Sequence, residues 1–355
     1  MSTITLPGLI DIHVHLRDQG QTYKEDFFTG TSAAVAGGFT TVLDMPNNKT
    51  PIITQNLLNE KIKEAKKKIV CDIGFYFGSL GENLKEFEKI QSQVFGLKIY
   101  LNQTTGNYIV DGKVFKKICK AWPKRLPILL HAEGDVIEKI IEIGHKTGQK
   151  LHICHVSSKK ELQTIINTKQ KGYQVTCGVT PHHLFLSKAD ADKLGPFGSM
   201  KPPIEKGYQE FVWKNLAYVD VIESDHAPHT VEEKNYPPAG GKPPFGVPGL
   251  ETTLPLLLTA VSEKRLSIDR LVKLCFDNPR KIFNVKTDKN TFVEIDPKEE
   301  YIIDNKNLKT KCGWSPFNGW KVKGKAKRVF IRGKKVYEDG KILVKPGSGK
   351  IIKPI

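Results

Sequence analysis

The sequence predicts an α/β fold, a (β/α)8 TIM barrel with a small C-terminal β module. Short β-like runs alternate with helix-like stretches from the start of the chain, which argues for βαβ units and a parallel sheet. Eight such units fit within roughly 230 residues, the length a closed barrel needs. Ionisable residues recur at the C-terminal ends of the runs, where such a barrel places its chemistry. The barrel is expected over residues 8–285, with 1–7 and 286–355 forming the module. An open doubly wound sheet is the competing architecture, but no G-x-G-x-x-G follows the first run.

The runs come in order at 9–15, 40–46, 70–78, 94–100, 127–133, 150–156, 174–180 and 219–225. Helical patterns separate several of them: the small-residue stretch 31–38, the lysine-rich amphipathic segment 57–68, then 114–121 and 159–171. A Pro/Gly-rich loop follows at 236–249, and a loop of that length in a compact domain is often functional. Helices are expected at 252–262 and 268–276, the second stopped by Asn278-Pro279. Beyond Val285 short β-runs (291–295, 301–303, 328–331, 335–337, 341–344) lie among turns such as Arg332-Gly333 and Asp339-Gly340. Residues 3–6 are placed with them.

Composition narrows the class. With 39% hydrophobic and 26% charged residues the chain is an ordinary globular one, not disordered or fibrous. No apolar run approaches the roughly 20 residues of a membrane span. The first residues lack a basic and then apolar leader, so a cytoplasmic protein is expected. Six cysteines without CxxC spacing do not make a disulfide framework or zinc ribbon. The net charge of +17 raises nucleic-acid binding. Yet the lysines are spread (Lys66 to Lys68, Lys116-Lys117, Lys159-Lys160) without interleaved aromatics. They read as a solvated surface whose field favours small anions. Neither nucleic acid nor membrane is expected as a partner.

The run ends carry the chemistry. The first reads L-I-D-I-H-V-H-L-R, residues 9–17. A strand has a two-residue side-chain period, so His13 and His15 share a face, roughly 6–7 Å apart along it. Lys98 lies in the fourth run, His131 ends the fifth, Cys154-His155 the sixth and Asp225 the eighth. Each alone has a bland reading, a hydrogen-bonded core histidine or a snorkelling lysine. Burying all of them at one rim without a common partner costs several kcal/mol, and a metal ion supplies that partner. Imidazole with carboxylate suits zinc, with manganese or cobalt as alternatives.

This constellation resembles the amidohydrolase superfamily and, within it, the dihydroorotases. The motifs are D-I-H-V-H-L-R (11–17), D-M-P-N (44–47), G-L-K-I-Y-L-N (96–102), L-H-A-E (130–133), H-I-C-H-V-S (152–157), T-P-H-H-L (180–184), E-S-D-H-A-P-H (223–229) and P-G-L-E-T (248–252). The set looks most like the dihydroorotase segment of the animal multifunctional pyrimidine-synthesis polypeptide. The resemblance implies two Zn2+ per subunit. His13, His15 and Asp225 would hold one and His131 and His155 the other, with carbamylated Lys98 bridging them. Arg17, Asn47 and His229 match positions that bind the substrate carboxylate, and Lys201 stands where relatives carry Arg or Asn for the same purpose. Thr104, in a loop over residues 103–107, would touch substrate, and the backbone at Pro248 and Gly249 would line the pocket. Thr105 stands where the animal loop has an aromatic residue. The animal members carry an acid where this chain has Gly178, and there it binds a third metal with a cysteine. Cys154 is that cysteine here, but without the acid a third metal is not expected.

The resemblance implies reversible cyclisation of N-carbamoyl-L-aspartate to L-dihydroorotate in pyrimidine synthesis, with Asp225 as general acid and base. It also implies a homodimer and an association with aspartate transcarbamoylase. A hydantoinase or dihydropyrimidinase is the neighbouring reading. Arg17, Asn47 and His229 argue against it, because they match positions for a carboxylate those substrates lack, and a guanidinium fork suits that group. A non-catalytic scaffold would be marked by loss of Lys98, a ligand histidine or Asp225, and all are present.

Overall fold

The computed structural model describes residues 3–103, 109–237 and 241–355. Its centre is a ring of parallel strands. These are β2 (Leu9–Val14), β3 (Phe39–Asp44), β4 (Asp72–Phe75), β5 (Phe77–Gly78), β6 (Leu97–Tyr100), β7 (Ile128–His131), β8 (Leu151–Ile153), β9 (Val175–Val179) and β10 (Val221–Ile222). Each pairs in parallel with the next, except that β4 and β5 are one run broken at Tyr76. The ring closes where Val14 bridges His226 and the His15 amide donates to the His226 carbonyl at 2.8 Å. The expected barrel is therefore present, with several strands shorter than the runs that mark them. The eighth shrinks most, because Asp225 takes φ +45° and leaves the ladder.

The interior is filled from all sides. Ile10 and Ile12 of β2, Leu43 of β3, Leu129 of β7 and Val221 of β10 form one cluster with Phe283 and Val285. Residues on opposite strands touch only through the middle of a closed barrel. The Tyr76 hydroxyl crosses this core to donate to the Ile12 carbonyl at 2.9 Å. Helices pack outside. In Phe27–Ala36 the small residues allow close approach: a Cβ at Gly30 would lie 2.5 Å from Leu16 Cδ2. Helix Lys159–Gln170 starts at a capping box in which Ser158 caps the Glu161 amide and Glu161 returns the bond.

A second, antiparallel sheet joins a strand that precedes the barrel to four that follow it. β1 (Ile4–Pro7) pairs with β11 (Phe292–Ile302), followed by β12 (Lys321–Ile331), β13 (Lys334–Glu338) and β14 (Lys341–Ile342). Two runs expected separately, 291–295 and 301–303, belong to one strand, β11. Its register shifts between Asp296 and Glu300, where the Asp296 carboxylate accepts the Lys298 and Glu299 amides. Asn278-Pro279 does not stop its helix, contrary to expectation. Ile268–Val272 widens into a π turn over Lys273–Asp277, and the helix resumes as Asn278–Ile282. The wider turn absorbs the bond that the proline nitrogen cannot donate.

Candidate metal centre

The rim at the strand ends carries three non-glycine residues in the left-handed region: Arg17 at φ +58°, His155 at +38° and Asp225 at +45°. Each costs roughly 1–3 kcal/mol, and such strain clusters at functional sites. All three face one cleft. Its wall also holds His13, His15, Asn47, Lys98, Tyr100, His131 and Lys201, with Ala227, Phe245 and Gly246 along one edge.

Three donor atoms converge at one end. His13 Nε2 lies 3.2 Å and His15 Nε2 3.1 Å from the same Asp225 Oδ1. The far nitrogens are engaged too: His13 Nδ1 donates to Glu223 Oε2 at 3.0 Å, and His15 Nδ1 to Asn47 Oδ1 at 2.8 Å. Both nitrogens of each ring thus face oxygen acceptors, yet a neutral imidazole carries one proton. Making His15 imidazolium is opposed by burial, which pushes its pKa down to about 3. Burial also works against the charged form of Asp225. The facing His13, His155 and His15 rings and the His15 hydrogen bond favour the carboxylate and outweigh burial, holding the carboxyl well below its usual range. Two imidazole lone pairs and a carboxylate aimed at one point are the donor set of a divalent cation, so His13, His15 and Asp225 fit a metal.

The second pair stands beside the first. His131 Nδ1 and His155 Nε2 are 3.2 Å apart, and the His13 and His155 ring centroids are 5.2 Å apart. His131 Nε2 bonds Glu133 Oε1 at 3.0 Å, which turns Nδ1 toward His155. Burial lowers the pKa of both rings, leaving neutral imidazoles suited to a metal. Lys98 is buried in the same wall, and its Nζ donates to Cys154 Sγ at 3.2 Å. Burial raises the Cys154 thiol well above its ordinary value, which disfavours thiolate.

The remaining expected residues fall in different places. Arg17 donates through Nε to the Pro228 carbonyl at 3.2 Å and through Nη2 toward His229 Nε2 at 3.3 Å. His229 thus lies behind Arg17 and braces it, and Lys24 Nζ lies 3.2 Å from the other ring nitrogen. Asn47 lines the cleft while its carbonyl oxygen is held by His15. Lys201 lines it too, paired with Glu133 at 2.8 Å. Pro248 and Gly249 surround a separate small cavity beside His226, and the Gly249 amide donates to His226 Nδ1 at 3.2 Å. Thr104 and Thr105 lie outside the described residues.

Sequence reasoning gave no role to Glu223 or Glu133, which hold His13 and His131. The one available signal was proximity in the chain: Glu223 stands two residues before Asp225, and Glu133 two after His131. Glu25 gave no comparable signal. It is buried against His226 at 3.3 Å and accepts the Lys311 amide at 3.1 Å, tying the segment before β12 to the rim. No helix among the described residues is long and apolar enough to cross a membrane.

Comparison with known proteins agrees with this geometry. The model of the amidohydrolase family matches residues 4–171. Multifunctional protein CAD of Squalus acanthias is 46% identical over 353 residues, covering 99% of this chain and 16% of the relative. The chain therefore spans about a sixth of that protein's length. The dihydroorotase of Pyrococcus furiosus is 38% identical over 365 residues, covering 99% of this chain and 85% of the relative. Among solved structures, the L-hydantoinase (dihydropyrimidinase) of Arthrobacter aurescens superposes with a TM-score of 0.92 at 25% identity, covering 99% and 89% of the two chains. The inactive dihydroorotase-like domain of a Chaetomium thermophilum CAD-like multifunctional protein gives 0.84 at 27%, covering 99% and 100%.

Proposed function

This chain belongs to the dihydroorotase family of the amidohydrolases, and from that premise we propose that it interconverts N-carbamoyl-L-aspartate and L-dihydroorotate in pyrimidine synthesis. The observation that carries the proposal is the convergence of His13, His15 and Asp225 beside the buried fork of Arg17.

His13, His15 and Asp225 would hold one zinc and His131 and His155 the other, with carbamylated Lys98 between them. Zinc bound there lowers the pKa of water and polarises the amide carbonyl. Asp225 moves the proton. In hydrolysis it accepts one from the attacking water and passes it to the leaving ring nitrogen; in cyclisation it takes the ureido proton as that nitrogen attacks and returns it to the departing oxygen, which leaves as water. Arg17 is braced on Pro228 and His229, so its free N–H groups are pre-oriented for the substrate carboxylate. Lys201 adds positive charge as a point source, tethered to Glu133. Asn47 bridges the two tasks, since it lines the cleft and holds His15.

The likeness to a hydantoinase supports cyclic amide chemistry, and Arg17 selects the acid among cyclic amides. The likeness to an inactive domain raises the scaffold reading, but the full ligand set favours catalysis. We read residues 8–285 as the catalytic barrel, with 1–7 and 286–355 as its β module. The working unit would be a cytoplasmic homodimer, with aspartate transcarbamoylase as the partner to test by co-purification. The deciding assay is interconversion of the two compounds by zinc-loaded protein. Faster turnover of dihydrouracil than of dihydroorotate would reject this substrate.

A further inference from the structure

Glu223 is fully buried at the floor of the rim, and its carboxylate does two things at once. Oε2 accepts from His13 Nδ1 at 3.0 Å. Oε1 accepts a short bond from the backbone amide of His155. His152 Nε2 lies 3.8 Å from Oε2 and has no hydrogen bond of its own among the described residues. One side chain therefore touches a member of each histidine cluster, the ring of one and the strained backbone of the other.

The room for it comes from the next strand. An ideal Cβ built on Gly178 of β9 would lie 2.4 Å from Glu223 Oε1 and 2.6 Å from its Cδ. Neither contact is tolerable, so any larger residue at 178 excludes this Glu223 rotamer. Gly178 and Glu223 are a matched pair: β9 vacates the space that β10 fills. The same geometry means that a carboxylate carried at 178 would project into the space Glu223 now occupies.

We propose that Glu223 is a positioning residue that orients ligands of both metals, with Gly178 as its required partner. This rests on the metal reading above. A histidine that binds a metal through one nitrogen donates its other N–H to a carboxylate, which fixes the ring and its tautomer. Glu223 does this for His13 and also pins the chain at His155, so both metals depend on one group. Removing such a partner weakens metal binding roughly 10–100-fold. Gln at 223 is nearly isosteric, but its one oxygen serves either His13 or the His155 amide, not both.

The test compares wild type, Glu223→Gln, Glu223→Ala and the double variant Gly178→Glu/Glu223→Ala. Each is loaded with zinc, counted for bound zinc and titrated with a competing chelator, with thermal unfolding as the fold control. Wild type is expected to hold two zinc ions. Both single variants should release zinc at roughly 10–100-fold lower chelator strength, with kcat reduced and KM for dihydroorotate little changed, because Arg17 is untouched. The double variant should recover most of the lost zinc affinity. Should Glu223→Ala fail to fold, the Gln variant carries the comparison. Wild-type zinc retention in Glu223→Gln overturns the proposal, as does a double variant no better than Glu223→Ala. Three zinc ions in wild type falling to two in Glu223→Ala also overturns it, because Glu223 would then be a ligand beside His13 and Cys154. No zinc bound to wild type fails the metal reading itself.

Discussion

Replacing Arg17 by Met separates recognition of the acid from the chemistry. The guanidinium is buried and already fixed by Pro228 and by His229. Little side-chain freedom is left to lose when a carboxylate docks. A hydrogen bond to a charged group contributes roughly 1.5–3 kcal/mol, so losing a two-point contact costs about 3–6 kcal/mol. At tenfold per 1.36 kcal/mol that is roughly 10²–10⁴ in kcat/KM. Lys201 remains in the cleft and retains part of the attraction, which places the expected effect near the lower end, about a 100-fold rise in KM. Steady-state kinetics with dihydroorotate and dihydrouracil in parallel measure it. Dihydrouracil lacks the carboxylate, so its kcat/KM should stay within a few-fold. Thermal unfolding must accompany the assay, since Pro228 O and His229 lose a donor, at roughly 1–3 kcal/mol for a buried group left unpaired. An unchanged KM for dihydroorotate, or an equal loss for both substrates, would refute the recognition role.

Other outcomes follow from single contacts. Lys61 is fully buried, paired with Asp44 at 2.7 Å and donating to Met45 O and Asn48 Oδ1; Lys61→Met should destabilise by roughly 3–5 kcal/mol in chemical denaturation, and a loss below about 1 kcal/mol would contradict the pairing. Glu251 is raised to about 7, chiefly by burial and against the Thr310 and Lys309 amides that favour its charge. Because the folded value lies above the ordinary 4.5, its contribution is fully present below pH 4.5 and lost as pH rises through 7. Glu251→Gln should therefore flatten the fall in stability across that window, by about 3 kcal/mol at most; an unchanged pH profile would assign the fall to other groups. Chelation should lower the midpoint of thermal unfolding and added zinc restore it, since a ligand bound only by the native state stabilises it.

The barrel was legible because its strands are buried apolar runs separated by helical periods, and Leu9 to Val14 is the clearest case. Residues close to one another in a motif were also legible: His13 and His15 face one cleft, and Lys98, His131, His155 and Asp225 share it. Contacts that depend on which neighbouring strand makes room were not. Glu223 reaches His13 only because Gly178 on the adjacent strand lacks a side chain, and no spacing within either strand encodes that. His229 carries a second lesson. Its place in the motif suggested a residue for the substrate carboxylate, and the contact with Arg17 in which the turn after Asp225 seats it was not legible there. The π turn at Lys273–Asp277 shows the same limit, since a proline reads locally as a stop while the packing of its helix decides otherwise.

The most direct measurement is turnover of L-dihydroorotate and N-carbamoyl-L-aspartate by the zinc-loaded protein, set beside its chelated form and Asp225→Asn. Interconversion in both directions, lost on chelation and reduced by several orders of magnitude in Asp225→Asn, is the expected result. Full turnover after chelation, or wild-type turnover in Asp225→Asn, would contradict a metal-dependent dihydroorotase built on His13, His15 and Asp225.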